Sequence, residues 1–206
     1  MIDKSNPISI RSKRLITEAL LELMETVPFT KISIRDIVEK AGLTRQTFYH
    51  NFESKEDVVS YKLDELFEGF FQYVIDNKVA DCEGVICFYF RYWQKNEKFI
   101  KLLVKNNLVY ILELKYPEYF KIIQFIFMRG SDISDVESEY VYSFISGAII
   151  NLLVTWINGG QIMTPKEMAK FVMQILEGSF YELHIPAAEK DSRIEIAAAL
   201  KNSTQY

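Results

Sequence analysis

Apolar residues recur three and four positions apart along almost the whole chain, and strand-like alternation is nearly absent, so the sequence is constrained to an all-α fold. Leu15, Ile16, Ala19, Leu20, Leu23 and Met24 form one helical stripe, which Pro28 ends. Ile34, Ile37, Val38 and Ala41 fall at i, i+3, i+4 and i+7, and Gly42 closes that short helix. Phe48 and Phe52 place a third short helix, and Val59, Leu63, Leu66, Phe67, Phe70, Phe71 and Val74 a long fourth. Ser33 with Asp36, Ser54 with Asp57 and Ser134 with Glu137 each set a hydroxyl three residues before a carboxylate, the pattern that caps a helix N-terminus. Thr164, Pro165 and Glu167 add a proline in the first turn. Further helices are predicted near 82–95, 97–105, 106–128 (broken around Pro117), 135–158 and 165–183, with a weak one at 193–201.

The segment Ser33–Phe52, SIRDIVEKAGLTRQTFYHNF, has the layout of a helix-turn-helix: a short helix, Ala-Gly-Leu-Thr, then a second short helix. Gly42 supplies the left-handed backbone of the turn, Leu43 plugs it, and Thr44 caps the next helix. With Phe48 and Phe52 turned inward, Arg45, Gln46, Thr47, Tyr49 and His50 remain outward, crowded at a helix N-terminus. Laid in a major groove, Arg pairs with guanine, Gln with adenine, and Thr touches a thymine methyl. Charge is distributed to match. Residues 1–55 carry nine Lys and Arg against seven Asp and Glu, whereas residues 56–206 carry fifteen against twenty-one. The front end suits phosphate and the rear does not. The sequence therefore divides into a DNA-binding domain at 1–55 and a helical sensing and dimerisation domain at 56–206.

Residues 9–60, above all IRDIVEKAGLTRQTFYHNF followed by SKEDVV, resemble the N-terminal domain of the tetracycline-repressor (TetR/AcrR) family of bacterial regulators. The resemblance implies a three-helix reader with residues 45–51 in the major groove of double-stranded operator DNA. Carried over by position, Arg45, Gln46 and Thr47 match base contacts, and Tyr49 and His50 match phosphate contacts. Ser33 and Thr44 match helix caps that also donate to phosphate, and Lys55 a phosphate-binding lysine. Lys4, Arg11, Lys13 and Arg14 form an arm able to reach the minor groove or the backbone. The resemblance further implies a homodimer on a pseudo-palindromic operator, responsive to an effector and repressing by family habit. The small body ending in WINGG…TPKEMAKFVMQIL is similar to a subgroup of regulators in low-GC Gram-positive bacteria, some of which answer to a protein partner.

The same resemblance pairs helices 135–158 and 165–183 with their copies in a second subunit. Ser143, Gly147, Asn151 and Thr155 form a small-residue row that permits close approach. Phe144, Gly147, Asn151, Phe171 and Ile175 are the expected interface. An effector pocket is expected among the dense aromatics, from Tyr89, Tyr92, Trp93, Tyr110, Phe125 and Asn151.

Competing classes find less support. An enzyme would need a catalytic constellation, yet His50 and His184 lie far apart, and no phosphate loop, nucleophile elbow or metal-ligand spacing is present. No cofactor is expected. Cys82 and Cys87 sit five apart, unlike a zinc or redox motif, and read as reduced thiols of a cytoplasmic protein. Met1–Arg14 lacks the apolar core of a signal peptide, and Phe144–Ile157 is shorter than the roughly 20 residues of a membrane span. A helical adaptor that lost DNA binding would not need the Arg45–His50 surface.

Overall fold

The computed structural model describes residues 7–79, 81–127 and 134–178, with 120–127 and Asp135 described by backbone alone. Nine helices and no strand are present among these residues: α1 (Pro7–Thr26), α2 (Ile34–Ala41), α3 (Arg45–Asn51), α4 (Lys55–Asp76), α5 (Cys82–Lys95), α6 (Glu97–Lys105), α7 (Val109–Phe127), α8 (Asp135–Asn158) and α9 (Pro165–Leu176). A single 3₁₀ turn, Phe29–Lys31, joins α1 to α2. The predicted stretch at 193–201 lies outside the described residues, as do Lys4 and His184. The chain divides into two compact units after Lys170, within α9.

Most predicted boundaries hold within a residue or two. Two expectations are corrected. Helix α7 runs unbroken through Pro117, which removes one N–H from its ladder without ending it. Arg11, Lys13 and Arg14 are not in an extended arm, because α1 begins at Pro7 and carries them as helical residues.

In the first unit, α1 packs on α2, α3 and α4, and its buried face is Ile16, Ala19, Leu20 and Met24. Helix α4 lies against α1 at one end and α5 and α7 farther along. Its buried residues Val58, Val59, Leu63, Leu66, Phe67, Phe70 and Val74 recur at helical spacing over nearly five turns, so one continuous stripe belongs to both cores. The body core is aromatic. Phe67 stacks on Tyr119 with centroids 3.7 Å apart and meets Tyr116 and Trp93 edge-on at 5.0 and 5.5 Å. The hydroxyls of Tyr89 and Tyr116 hydrogen-bond to each other in the interior, and burial pushes both phenols above their ordinary range.

Helix α8 is long and apolar enough to cross a membrane by length and composition, with mean hydropathy 1.6 over an 18-residue stretch within Val136–Asn158, longer than the run predicted from sequence. One face of it packs into the body core, and a third of that stretch is buried. Ile150, Leu153, Trp156 and Ile157 are buried, and α7, α6 and α5 lie against the helix. The Trp156 ring meets Phe90 of α5 at 5.2 Å, and its indole N–H donates to the Met163 carbonyl at 2.8 Å.

Gly69 is a contact glycine. Tyr92 of α5 donates its hydroxyl to the Leu66 carbonyl of α4 at 2.7 Å. A Cβ at position 69 would stand 2.7 Å from that same oxygen. Gly69→Ala should therefore destabilise the fold by about 1–2 kcal/mol through overpacking. In a Tyr92→Phe background the clashing atom is gone, and the higher helix propensity of alanine should make the same change stabilising by up to about 1 kcal/mol. Urea denaturation of the four proteins of this cycle measures both terms; equal penalties in the two backgrounds would refute the contact.

Candidate nucleic-acid interface

The reader is built from short helices whose ends are closed by their own side chains. Ser33 accepts from the Asp36 backbone N–H at 3.2 Å, while the Asp36 carboxylate accepts from the Ser33 backbone N–H at 2.8 Å and from its hydroxyl at 2.6 Å. These bonds hold the Asp36 carboxyl below the usual carboxylate range, and Ser33 is the cause. Gly42 sits at φ +65°, ψ +34°, and turns the chain where a side chain would be strained. Thr44 then caps α3 by accepting from the Thr47 N–H at 3.1 Å. Below α3, Phe48 is fully buried and Phe52 nearly so, their rings 5.9 Å apart. Lys40 of α2 pairs with Glu22 of α1 at 2.7 Å, tying the front helix of the motif to the scaffold.

With that anchoring, Arg45, Gln46, Tyr49 and His50 are exposed and Thr47 is half-exposed. Tyr49 leaves 59% of its surface in solvent while its ring edge rests against Phe48 at 5.6 Å. Five outward residues of the motif thus share one projecting helix, as the sequence predicts.

Sequence reasoning missed the floor beside this helix. A surface groove of about 310 Å³ runs between the start of α1 and α3, lined by Ile8, Ser9, Ser12, Gln46, Thr47, His50 and Asn51. Asn51 organises it, donating to the Thr47 carbonyl at 2.7 Å and accepting from the Ser9 hydroxyl at 2.7 Å. Asn51 lies inside the recognised motif, but nothing in a linear pattern says that its partner is forty-two residues upstream.

Two predicted DNA contacts have other partners here. Lys55 does not extend outward. Its ammonium donates to the Phe29 carbonyl at 2.6 Å and the Ile32 carbonyl at 2.9 Å, and sits 4.3 Å from the Phe29 ring centroid. The Ser33 hydroxyl is engaged by Asp36. The predicted effector residues also separate. Tyr89 and Trp93 are buried together and Tyr92 lies beside them, but Tyr110 is 44% exposed and Asn151 faces outward, donating to the Gly147 carbonyl of its own helix. Tyr110 and Asn151 thus lie apart from the buried Tyr89–Trp93 cluster, and the Phe125 side chain lies outside the described residues. The Trp93 indole N–H is buried with no hydrogen-bond partner among the described residues. On α8, Val136, Tyr140 and Phe144 are 62%, 73% and 73% exposed, on the side of the helix that carries Ser143, Gly147 and Asn151. In the second unit Phe171 is half-buried and Ile175 exposed.

Residues 16–61 match the family described as bacterial regulatory proteins, tetR family, and residues 80–178 match the family described as transcriptional regulator C-terminal region. The chain belongs to the TetR family. Among curated relatives of this TetR-family regulator, the dhaKLM operon transcriptional activator DhaS of Lactococcus lactis is 26% identical over 148 residues, which is 68% of this chain and 76% of DhaS. Among solved structures, Lin0861 of Listeria innocua superposes with a TM-score of 0.73 at 16% identity, over 86% of this chain and 95% of that one. A TetR transcriptional regulator of Streptococcus agalactiae gives a TM-score of 0.59 at 20% identity, over 82% and 95%. These two likenesses concern the fold.

Ser33→Ala removes the hydroxyl on which both the α2 cap and the Asp36 carboxylate depend. Loss of such a cap costs about 1 kcal/mol. The Asp36 pKa should return toward the ordinary aspartate value, as followed by carbon NMR of its side chain. Because the folded-state pKa is depressed, the cap's pH-dependent contribution in the wild-type protein is present above the unfolded pKa and lost as pH falls through the folded one. A wild-type Asp36 titrating at the ordinary value would contradict the cap.

Proposed function

We propose that this TetR-family regulator acts as a homodimer on a pseudo-palindromic operator, as a repressor released by an effector. The observation that carries the reading is the projecting face of α3, where Arg45, Gln46, Thr47, Tyr49 and His50 stand clear of a helix held from below by Phe48 and Phe52. In a major groove, Arg45 and Gln46 address base edges, Thr47 a thymine methyl, and Tyr49 and His50 the flanking phosphates. Ser33 and Thr44 stand at the helix N-termini that face the same backbone. Two such helices fit successive major grooves when held about 34–36 Å apart.

The second copy belongs on α8. Tyr140 and Phe144 are large apolar side chains left exposed on one face of α8, and Gly147 and Asn151 continue the same face with small groups. Phe171 and Ile175 of α9 are assigned to the interface by the family resemblance. The effector is a small molecule or a protein partner acting on the body, where Tyr89, Tyr92 and Trp93 form an aromatic cluster.

A second reading, activation in place of repression, is favoured by one finding: the relative DhaS is named a transcriptional activator. The two differ in the sign of regulation and share the DNA-reading surface.

Gel-shift and footprinting against a random-sequence duplex pool test the reading. A protected pair of half-sites, with affinity falling steeply in salt, is expected; the absence of any selected duplex at low salt would remove DNA recognition by this face. Arg45→Ala should cost about 1–3 kcal/mol on the selected duplex and relax preference at one base position. Unchanged affinity and unchanged preference would take Arg45 out of the groove.

Gly147→Leu tests the dimer. Beyond its own stretch of helix, no atom of the described residues lies within 4 Å of the place a Cβ would occupy at Gly147, so a larger side chain has room in an isolated chain. It should hold two α8 helices apart and halve the mass measured by light scattering, with the helical circular dichroism unchanged. An unaltered dimeric mass would exclude this face from the interface.

A further inference from the structure

The far end of α1, away from the DNA face, has a chemical deficit that another helix fills. The last four carbonyls of a helix lack partners within it, and a basic residue in the last turn often meets them. Helix α1 has no basic residue there. Helix α6 supplies the donors. Lys105 donates to the Glu25 carbonyl at 2.6 Å, and the Asn106 side-chain N–H lies 3.5 Å from the Met24 carbonyl. Asn106 also donates to Leu102 of its own helix at 2.9 Å, which fixes the orientation of the amide. Its side-chain oxygen accepts from the Phe29 backbone N–H at 2.8 Å, in the first residue of the turn that joins α1 to α2. Asn107 adopts φ +57° and returns the chain through a Leu108 N–H to Leu103 carbonyl bond of 2.8 Å, closing α6 at that point.

The other face of Phe29 leads into the reader. Its carbonyl and ring are both engaged by Lys55, whose ammonium also holds the Ile32 carbonyl immediately before the Ser33 cap of α2. A chain of direct contacts therefore runs from the end of α6 through Asn106, Phe29 and Lys55 to the N-terminus of α2 and the first turn of α4.

We propose that Asn106 is a positioning residue for DNA binding, holding the α1–α2 turn so that Lys55 sets the helix-turn-helix. The inference rests on the DNA-reading assignment of α3 and adds a residue, remote from that surface, on which its placement depends. Lys105 donates to the Glu25 carbonyl at the same helix end, and its bond does not involve Phe29, so it stands outside the route.

The test is a double-mutant cycle on operator affinity, using the full chain and a duplex selected by the wild-type protein from a random pool. Asn106→Ala should weaken binding about tenfold in the wild-type background and less than twofold in a Lys55→Ala background, because the second residue of the route is already gone. Lys105→Ala should change affinity less than twofold. An equal loss from Asn106→Ala in both backgrounds, or an equal loss from Lys105→Ala, would show general loosening of the α1–α6 contact and overturn the proposal, as would no loss at all. If Asn106→Ala does not fold by circular dichroism, Asn106→Ser is read by the same criteria. Failure of the wild-type protein to select any duplex would instead strike the DNA-reading assignment, so the two failures are separable.

Discussion

The Lys55 ammonium is the point on which the reader's geometry depends. Two carbonyls of the α1–α2 connection, Phe29 and Ile32, converge on it, and a third surface of the charge rests against the Phe29 ring. The Phe29 carbonyl also accepts the Ile32 backbone N–H at 3.2 Å, so Lys55 matters most to the Ile32 carbonyl, and a buried carbonyl without a donor costs on the order of 1–3 kcal/mol. Lysine suits the position because its three donors diverge from one atom, so a single side chain reaches both oxygens. The same residue opens α4. The first turn of the longest reader-to-body helix and the last residue before α2 are thereby fixed to each other, and the orientation of α3 follows from both.

Helix α4 carries that constraint into the body. Its buried stripe passes from Val58 and Val59 beside the reader to Phe67, Phe70 and Val74 among the body aromatics. Two polar contacts pin it laterally. Tyr92 donates to the Leu66 carbonyl in the notch left by Gly69, and Asp64 accepts from the Tyr119 hydroxyl while pairing with Lys115 of α7 at 3.2 Å. That carboxylate raises the Tyr119 phenol above its usual range after burial, the larger effect, has already done so. Helix α4 is thereby fixed at its first turn by Lys55 and clasped from two sides, by α5 through Tyr92 and by α7 through Tyr119 and Lys115.

The parts of this architecture that were legible in the sequence are those governed by local rules. Helix periods, the capping pairs at Ser33, Ser54 and Ser134, the left-handed Gly42 and the outward face of α3 depend on residues three or four apart, and each is found as expected. What was not legible depends on partners far along the chain. Lys55 looked like a phosphate ligand because its motif position says so, while its observed partners are twenty-three and twenty-six residues away. Ser9 with Asn51 and Asn106 with Phe29 are likewise long-range pairs between residues of no special type. The aromatic cluster was visible as composition, but composition does not say which rings face in. Tyr110 and Tyr89 look alike in the sequence and differ sixfold in exposure.

Helix α8 shows how the same sequence property serves two environments. Its apolar residues extend around most of its circumference, so periodicity alone cannot separate an inner face from an outer one. Packing separates them. Ile150, Leu153, Trp156 and Ile157 go to the body core, and Val136, Tyr140 and Phe144 are left outside. An aromatic residue exposed by nearly three quarters costs little singly, but three large apolar groups on one face form a patch that favours association. The small residues on the same side matter as much as the large ones, because a glycine at position 147 leaves room for another backbone to approach beside Phe144. In the proposed dimer this face would meet its own copy across a two-fold axis, the symmetry that two recognition helices need to meet the inverted halves of a palindrome.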